Sequence, residues 1–336
     1  MADTPTAPPR VLVRVAERGP ADAGNHPYNP ASEIHGWTLS RQAGLGRIAV
    51  NLAWVPPGKE SAVYHRHHRE EEWLYVLEGR GTAEIDDRAV EVGPGDFLGF
   101  PAGVAHHFRN TGATDLHFLE GGEVISDVEV ADFPRLGRRM VRYGSHVSVY
   151  PISAEIPFLP GGPSELPGEH LGSAPPREPP RVLVRAGERA EARRFQHPQN
   201  PRSEVLLTAL SRPAGLTRMA VVLARVPPGR ESFVHHKHLR DEEWMYVLSG
   251  RGVAELDDLE REIGPGDFLG FPAGGPAHDT RALPGEDLVY VSGGDAWSRT
   301  SIDIVDFPRL GLRRTFVGTR NAMTFPFDAA LEKGTR

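Results

Sequence analysis

The chain has no cysteine among its 336 residues, which excludes disulfide bonds, thiolate nucleophiles and thiolate metal sites. It also lacks any apolar run close to the roughly 18 residues that a membrane-spanning helix needs. The opening segment MADTPTAPPR has no apolar core behind a basic start, so we expect no signal peptide there. These absences predict a cytoplasmic protein with no membrane partner.

Lysine is scarce as well, with three among 38 basic residues, and the formal net charge is -7. Nucleic-acid-binding proteins usually carry a basic patch or a basic excess, so we expect no nucleic-acid partner. The hydrophobic fraction of 39% and the charged fraction of 25% are ordinary for globular proteins. The length favours two domains.

Glycine and proline, by contrast, are abundant, with 37 and 31 copies, and they recur between short β-rich runs. This punctuation is typical of an all-β protein with many turns, a sandwich or a barrel. Convincing amphipathic helices are few. The clearest predicted strands are residues 47–55, 73–77, 83–85, 89–92, 219–226 and 244–248.

The sequence repeats itself at an offset of 171 residues. RVLVR at 10–14 returns at 181–185, and GPGDFLGFPAG at 93–103 returns unchanged at 264–274. A period this long is too large for one unit of a solenoid, so it indicates a duplicated domain.

A second shared segment, DFPRLG, stands at 132–137 and again at 306–311, where the offset has grown to 174. Between the two copies the chain becomes rich in proline and glycine, which is typical of an extended linker. We therefore predict an N-terminal domain over 1–150, a linker over 151–180 and a C-terminal domain over 181–336.

Histidines mark the candidate site, because nine of the 15 fall in four short segments. His65 and His67 are two apart on a predicted strand, so both side chains project to one face. Glu72 begins an otherwise apolar strand face, where a carboxylate is costly to bury unless it is paired or binds a metal. His106 lies in the second histidine segment. Three imidazoles and one carboxylate suit a divalent first-row metal.

The second copy carries the corresponding set of candidate ligands. These residues are His236, His238, Glu243 and His278.

Both histidine segments resemble the two signature motifs of the cupin superfamily, G-x5-H-x-H-x4-E-x6-G and G-x5-P-x-G-x2-H-x3-N. Six residues rather than five separate the first glycine from the first histidine in each copy. The matching positions are Gly58, His65, His67, Glu72, Gly79, Gly95, Pro101, Gly103, His106 and Asn110, then Gly229, His236, His238, Glu243, Gly250, Gly266, Pro272, Gly274 and His278.

The resemblance implies two tandem double-stranded β-helix (jelly-roll) barrels, a bicupin. It also implies one divalent metal per domain, held by the three histidines and the glutamate. Fe or Mn is favoured, and Zn, Ni, Co or Cu also fits such a ligand set. A homodimer is a further expectation.

The second copy departs from the motif at two positions. PAGGPAH has one more residue before His278 than PAGVAH has before His106, and Ala282 stands where the motif has asparagine. We therefore expect an altered loop in the second domain.

The neighbours of the candidate ligands have less specific roles. By strand parity His68, His107 and His235 point away from the ligands, so we expect surface positions or indirect support of the site. Trp73 and Trp244 are expected to be packing residues.

The leading functional hypothesis is a metal-dependent oxidoreductase, such as a dioxygenase, that acts on a small organic molecule. Two alternatives remain open. One is a non-redox isomerase, lyase or decarboxylase in which the metal polarises a carbonyl. The other is a non-catalytic module that binds a sugar or another small ligand. The sequence identifies no catalytic residue apart from the candidate ligands.

Overall fold

The computed structural model describes residues 10–124, 128–154, 182–295, 302–317 and 320–326. The regular structure in these ranges is almost entirely antiparallel β, which confirms the all-β prediction. Within the same ranges, no helix has the length and apolarity to cross a membrane.

The strands of the first repeat are, in chain order, β1 (Leu12–Val13), β2 (Asp22–Gly24), β3 (Ile34–Thr38), β4 (Ile48–Val55), β5 (Arg66–His67), β6 (Glu72–Glu78), β7 (Gly81–Ile85), β8 (Arg88–Val92), β9 (Phe97–Phe100), β10 (His106–Arg109), β11 (Leu116–Glu123), β12 (Val128–Phe133), β13 (Arg138–Tyr143) and β14 (His146–Pro151). The described helical segments are α1 (Leu39–Gln42) and 3-10 turns at Val15–Glu17, Pro134–Leu136, Ile152–Ala154, Ala186–Glu188 and Pro308–Leu310.

The strands of the second repeat are β15 (Leu183–Val184), β16 (Arg193–Phe195), β17 (Val205–Ala209), β18 (Met219–Val226), β19 (Lys237–His238), β20 (Glu243–Ser249), β21 (Gly252–Leu256), β22 (Leu259–Ile263), β23 (Phe268–Phe271), β24 (His278–Ala282), β25 (Leu288–Asp295), β26 (Ile302–Phe307), β27 (Leu312–Val317) and β28 (Arg320–Pro326). Their order matches that of the first repeat.

Each repeat forms most of one barrel, which is built from a large sheet, a three-stranded sheet and a four-stranded sheet. In the first barrel the large sheet has the order β15-β9-β6-β11-β4-β3-β2, and the smaller sheets are β10-β7-β8 and β14-β13-β12-β5.

The turn between β7 and β8 shows how the local sequence directs the fold. Asp86 and Asp87 have φ of 45° and 61°, the left-handed values that a tight two-residue hairpin needs.

The first strand of each repeat crosses to the opposite barrel. β1 pairs with β23 of the second barrel, with Leu12 opposite Leu269. β15 pairs with β9 of the first barrel, with Leu183 opposite Leu98. Each barrel's large sheet is therefore completed by a strand from the other repeat.

The predicted domain boundaries remain predictions. Most of the predicted linker lies within 155–181, outside the described residues. The strand exchange shows that a cut at the predicted boundaries would remove one strand from each large sheet.

The two barrels pack face to face around a pair of tryptophans. Trp73 and Trp244 stack with ring centroids 5.0 Å apart and planes 6° from parallel, and each is 1% exposed. Gly99 and Gly270 flank this contact, and a side chain at Gly270 would collide with Ala43 of the opposite barrel. The prediction that both tryptophans are packing residues agrees with this position.

Buried glutamates join the barrels at the edge of the tryptophan contact. The Glu71 carboxylate accepts hydrogen bonds from the backbone N–H groups of Thr217 and Arg218 at 3.0 and 2.9 Å. Glu242 accepts the corresponding bonds from Gly46 and Arg47, both at 2.9 Å. Carboxylates that satisfy several backbone donors at once hold the two barrels in one arrangement.

The DFPRLG segments fasten an outer hairpin to each barrel. Asp132 is fully buried and accepts a hydrogen bond from Arg139 at 2.7 Å. Arg135 reaches back to Glu84 on β7 at 2.6 Å. The second repeat has the matching pairs Asp306–Arg313 and Arg309–Glu255. These contacts assign a structural role to the segment.

Candidate metal centres

In the first barrel, all four candidate ligands meet inside the barrel. His67 belongs to β5, Glu72 begins β6 and His106 begins β10, while His65 lies one residue before β5. A β-bridge between His65 and His106 brings the two histidine segments together.

The three imidazoles point at a single carboxylate oxygen. The distances to Glu72 Oε2 are 3.7 Å from His65 Nε2, 3.3 Å from His67 Nε2 and 3.2 Å from His106 Nε2. Burial alone would raise the pKa of Glu72, but the charge of His67 and the histidine hydrogen bonds hold it well below its usual range. The carboxylate is therefore an anion ready to bind a cation.

The other ring nitrogen of each histidine has its own hydrogen-bond acceptor. Nδ1 of His65 lies 2.8 Å from the Val63 carbonyl oxygen, and Nδ1 of His106 lies 3.1 Å from that of Val104. Nδ1 of His67 lies 3.0 Å from Glu129 Oε1. A proton fixed on Nδ1 leaves the Nε2 lone pair free, which is the arrangement that orients histidines for metal binding.

The second barrel repeats this geometry closely. The distances to Glu243 Oε2 are 3.6 Å from His236 Nε2, 3.4 Å from His238 Nε2 and 3.2 Å from His278 Nε2. Nδ1 of His238 lies 2.6 Å from Asp303 Oδ2. The extra residue in PAGGPAH leaves His278 in register, because the same bridge joins it to His236.

Both clusters fit a divalent metal by the chemistry of their donors. Three neutral imidazole nitrogens and one carboxylate oxygen form a mixed N and O set, which suits first-row metals and leaves further positions open. Without a metal, burial acts to lower the pKa of His67 and His238. The charges of the glutamates and of the carboxylates behind them outweigh burial and raise these pKa values to about 10 and about 9. Each cluster attracts positive charge.

A second buried carboxylate stands beside each orienting carboxylate, and no motif in the sequence indicates it. Glu70 is 7% exposed next to Glu129, and Asp241 is 7% exposed next to Asp303. Burial and the neighbouring carboxylate raise the pKa of Glu70 to about 7, and the same causes raise that of Asp241 to about 7. A charged run such as Arg69–Glu71 ordinarily indicates an exposed turn, yet Glu70 and Glu71 are buried here.

The neighbouring histidines have defined partners. His68 Nε2 contacts Asp132 at 2.9 Å. His107 and His235 are 4% and 5% exposed and therefore do not lie on the surface. His107 lies 3.5 Å from Glu84, and His235 lies 3.5 Å from Asp279. The contacts of all three are with carboxylates outside the ligand clusters.

A cavity opens over each cluster, and the two differ in size and polarity. The first has a volume of about 530 Å³ and the second about 740 Å³. The first is bordered by polar groups that include Asn25, His26, Asn51, Ser61 and Glu120. The second is bordered by aromatic groups that include Phe195, Phe233, Phe271, Tyr290 and Phe307.

Both repeats match a known family of protein domains. Residues 51–121 and 222–292 each match the family model described as the cupin domain. The protein belongs to the cupins, and with two tandem cupin domains it is a bicupin.

The protein is also similar to two characterised relatives over short segments. It is 38% identical to an oxalate-binding protein of Thermotoga maritima over 65 residues, 19% of this chain and 53% of the relative. It is 31% identical to quercetin 2,3-dioxygenase of Bacillus subtilis over 77 residues, 23% of each chain. The matched segments thus span about half and about a quarter of the length of these relatives.

A solved structure supports the tandem fold over most of the chain. A variant of Bacillus subtilis oxalate decarboxylase superposes with a TM-score of 0.51 at 19% identity. The alignment covers 86% of this chain and 78% of that chain. Likeness at this level of identity shows the shared fold alone.

Proposed function

We propose that this bicupin is a metal-dependent enzyme that binds one divalent metal in each barrel and oxidises a small organic substrate. The observation that carries the proposal is the convergence of three Nε2 atoms on one glutamate oxygen in each cavity. His65, His67, Glu72 and His106 would hold one metal, and His236, His238, Glu243 and His278 the other. A bound Fe(II) or Mn(II) would supply redox and Lewis-acid chemistry.

The second barrel is the better setting for an aromatic or otherwise apolar substrate. Aromatic rings wall its larger cavity and would exclude water from the substrate. Burial raises the pKa of Tyr290 to about 12, so its hydroxyl stays protonated. Thr280 and Ser232 lie beside this hydroxyl at the cavity wall. Tyr290 can thereby hydrogen-bond a substrate oxygen.

The similarity to quercetin 2,3-dioxygenase supports this reading only for the segment that it covers. The non-redox alternative also has one specific observation in its favour. The first cavity contains a partly buried carboxyl, Glu120, that belongs to neither cluster of ligands. A carboxyl in that position can act as a general acid or base, and isomerases and lyases need such a group to transfer protons.

The test is oxygen uptake by protein reconstituted separately with Fe(II), Mn(II) or Zn(II), with quercetin and catechol as probes. We expect uptake with Fe(II) or Mn(II), none with Zn(II), and loss in the double variant His236→Ala/His238→Ala. The matched variant His65→Ala/His67→Ala should retain it. Stoichiometric metal binding without uptake for either probe would refute oxidation of an aromatic substrate.

A further inference from the structure

Glu120 is a partly buried carboxylic acid with no part in either the ligand clusters or the barrel contact. It lies on β11, opposite Asn51 of β4 and Leu74 of β6. Leu74 and Glu72 are two apart on β6 and share a face, so Glu120 lies on the same inner surface as Glu72. Its side chain borders the first cavity together with His65 and His106.

Asn51 holds the Glu120 carboxyl and keeps an acceptor free. Asn51 Nδ2 donates to Glu120 Oε1 at 3.3 Å. Asn51 Oδ1 is buried and has no hydrogen-bond partner among the described residues. A buried acceptor without a donor is costly, and a ligand hydroxyl would satisfy it.

The second barrel lacks both members of this pair. Val222 occupies the position of Asn51, and Ser292 that of Glu120, within strands that keep the same pairing. The second cluster nevertheless has the same convergence of histidines on glutamate. The Glu120–Asn51 pair is therefore dispensable for assembling the ligand cluster, and another reason is needed for a carboxyl in this cavity.

We propose that Glu120 and Asn51 form a proton-transfer site in the first barrel, which acts on a small carbonyl compound with a hydroxyl on the adjacent carbon. This inference rests on the proposed function, because the substrate would also need the metal centre of that barrel. The two barrels would then perform different chemistry.

The proton transfer is balanced within the substrate and Glu120. The ionised carboxylate takes a proton from the hydroxyl-bearing carbon, and the electron pair of that C–H bond forms a C=C bond. The carbonyl π pair moves to its oxygen. Return of the proton from Glu120 to the same carbon restores the starting compound. Its delivery to the former carbonyl carbon, while the hydroxyl proton passes to the enolate oxygen, gives the isomeric carbonyl compound, so no oxidant or reductant is consumed.

The surroundings of Glu120 suit both halves of this cycle. In the metal-free protein, burial and the charge of Glu72 raise the pKa of Glu120 to about 7, against the Asn51 hydrogen bond, which lowers it. A catalytic acid or base is most effective when its pKa lies near the operating pH. The smaller, polar cavity also favours a small hydroxylated compound over an aromatic one.

The test uses zinc-loaded full-length protein, so that redox chemistry cannot contribute, and dihydroxyacetone in D₂O as the probe. Mass spectrometry measures deuterium uptake at carbon above the protein-free background. We expect exchange by the unmodified protein and at least about a 100-fold loss in Glu120→Gln, the scale typical of a general base. His117→Gln is the control, since His117 is on the same strand and stacks on Trp54 instead.

A second readout does not depend on turnover. Infrared difference spectra between the unmodified protein and Glu120→Gln isolate the Glu120 carboxyl band. This band should shift when dihydroxyacetone is added, and metal analysis should find about two zinc ions per chain in both proteins.

The outcomes separate this inference from the proposed function. A chain that binds no zinc overturns both. Zinc binding with no exchange by the unmodified protein, or with equal exchange in Glu120→Gln, overturns the proton-transfer site alone. A Glu120 carboxyl band that does not shift when dihydroxyacetone is added also overturns the proton-transfer site alone.

Discussion

The two barrels share one set of candidate ligands and differ in what surrounds it. In each, three Nε2 atoms lie 3.2–3.7 Å from one glutamate oxygen. The walls have diverged, with Asn51 and Glu120 in the smaller cavity and Val222 and Ser292 at the same positions in the larger one. The comparison separates residues that assemble a metal centre from residues that select its chemistry.

The loop in which the second copy departs from the motif does not disturb the geometry of its ligand cluster. The PAGGPAH insertion leaves His278 3.2 Å from Glu243, the same distance as between His106 and Glu72. Ala282, at the position of the motif asparagine, is buried and pairs with Gly252. In the first barrel, Asn110 instead holds its loop through hydrogen bonds to Val55 and Thr114.

The largest expected effect is the loss of one metal site at a time. His65→Ala combined with His67→Ala should remove about one metal equivalent, because two of four donors are lost. His236→Ala with His238→Ala should remove the other. Elemental analysis of protein loaded with Mn(II) or Zn(II) checks both. Retention of two equivalents by either double variant would contradict the assigned ligands.

The next largest effect should come from the tryptophans between the barrels. Truncating a buried tryptophan costs about 3–5 kcal/mol, so Trp73→Ala and Trp244→Ala should each lower the free energy of unfolding by that amount. Urea denaturation measures it, and Trp54→Ala on the outer face should cost clearly less. A large difference between the unfolding free energies of Trp73→Ala and Trp244→Ala would show that the two barrels do not contribute equally to this contact.

Metal affinity should rise with pH by about tenfold per unit, because metal must displace a proton from His67 or His238. These groups have pKa values of about 10 and about 9 in the metal-free protein, so the second barrel should level off first. Competition with a chromophoric chelator on the two double variants measures each site separately. Affinities that stop rising at neutral pH would show that these histidines are already neutral.

The raised pKa values of His67 and His238 also determine how the stability of the metal-free protein depends on pH. Both folded-state pKa values lie above the ordinary histidine value of 6.5. Their stabilising contribution is therefore complete below about pH 6.5 and is lost as pH rises through about 9 and 10.

The smallest effect should follow removal of the carboxylates behind the ligands. Glu129→Ala and Asp303→Ala should each weaken metal binding at its own site by about 10- to 100-fold, because the histidine loses its orienting partner. The loss should be greater for Asp303, whose contact is 2.6 Å against 3.0 Å for Glu129. Glu129→Gln keeps an acceptor and should recover most of the affinity in a chelator competition.

The sequence predicted which side chains converge in each barrel, because each cluster depends on short spacings within a hairpin. His65, His67 and Glu72 come together by strand parity alone, and duplication provides a second instance of the pattern. The predicted strand 219–226 matches β18 at both ends.

Features that depend on contacts between distant parts of the chain could not be predicted from such short patterns. RVLVR has the same sequence in both repeats, so nothing in it indicates which barrel it joins. The buried positions of Glu70 and Glu71 depend on partners far along the chain, and charged residues before a strand ordinarily indicate an exposed turn. Glu120 is a single carboxylate outside both motifs. What singles out Glu120 in the sequence is its difference from Ser292, the residue at the same position of the second repeat.

The crossing of β1 and β15 gives the chain the pattern of two subunits that have exchanged their first strands. A dimer of identical chains receives every mutation in both copies, so its two cavities must change together. Here each cavity is encoded separately, while the covalent link keeps the partners together at any concentration. One cavity can acquire a carboxyl and the other a wall of aromatic rings, although neither barrel completes its large sheet alone.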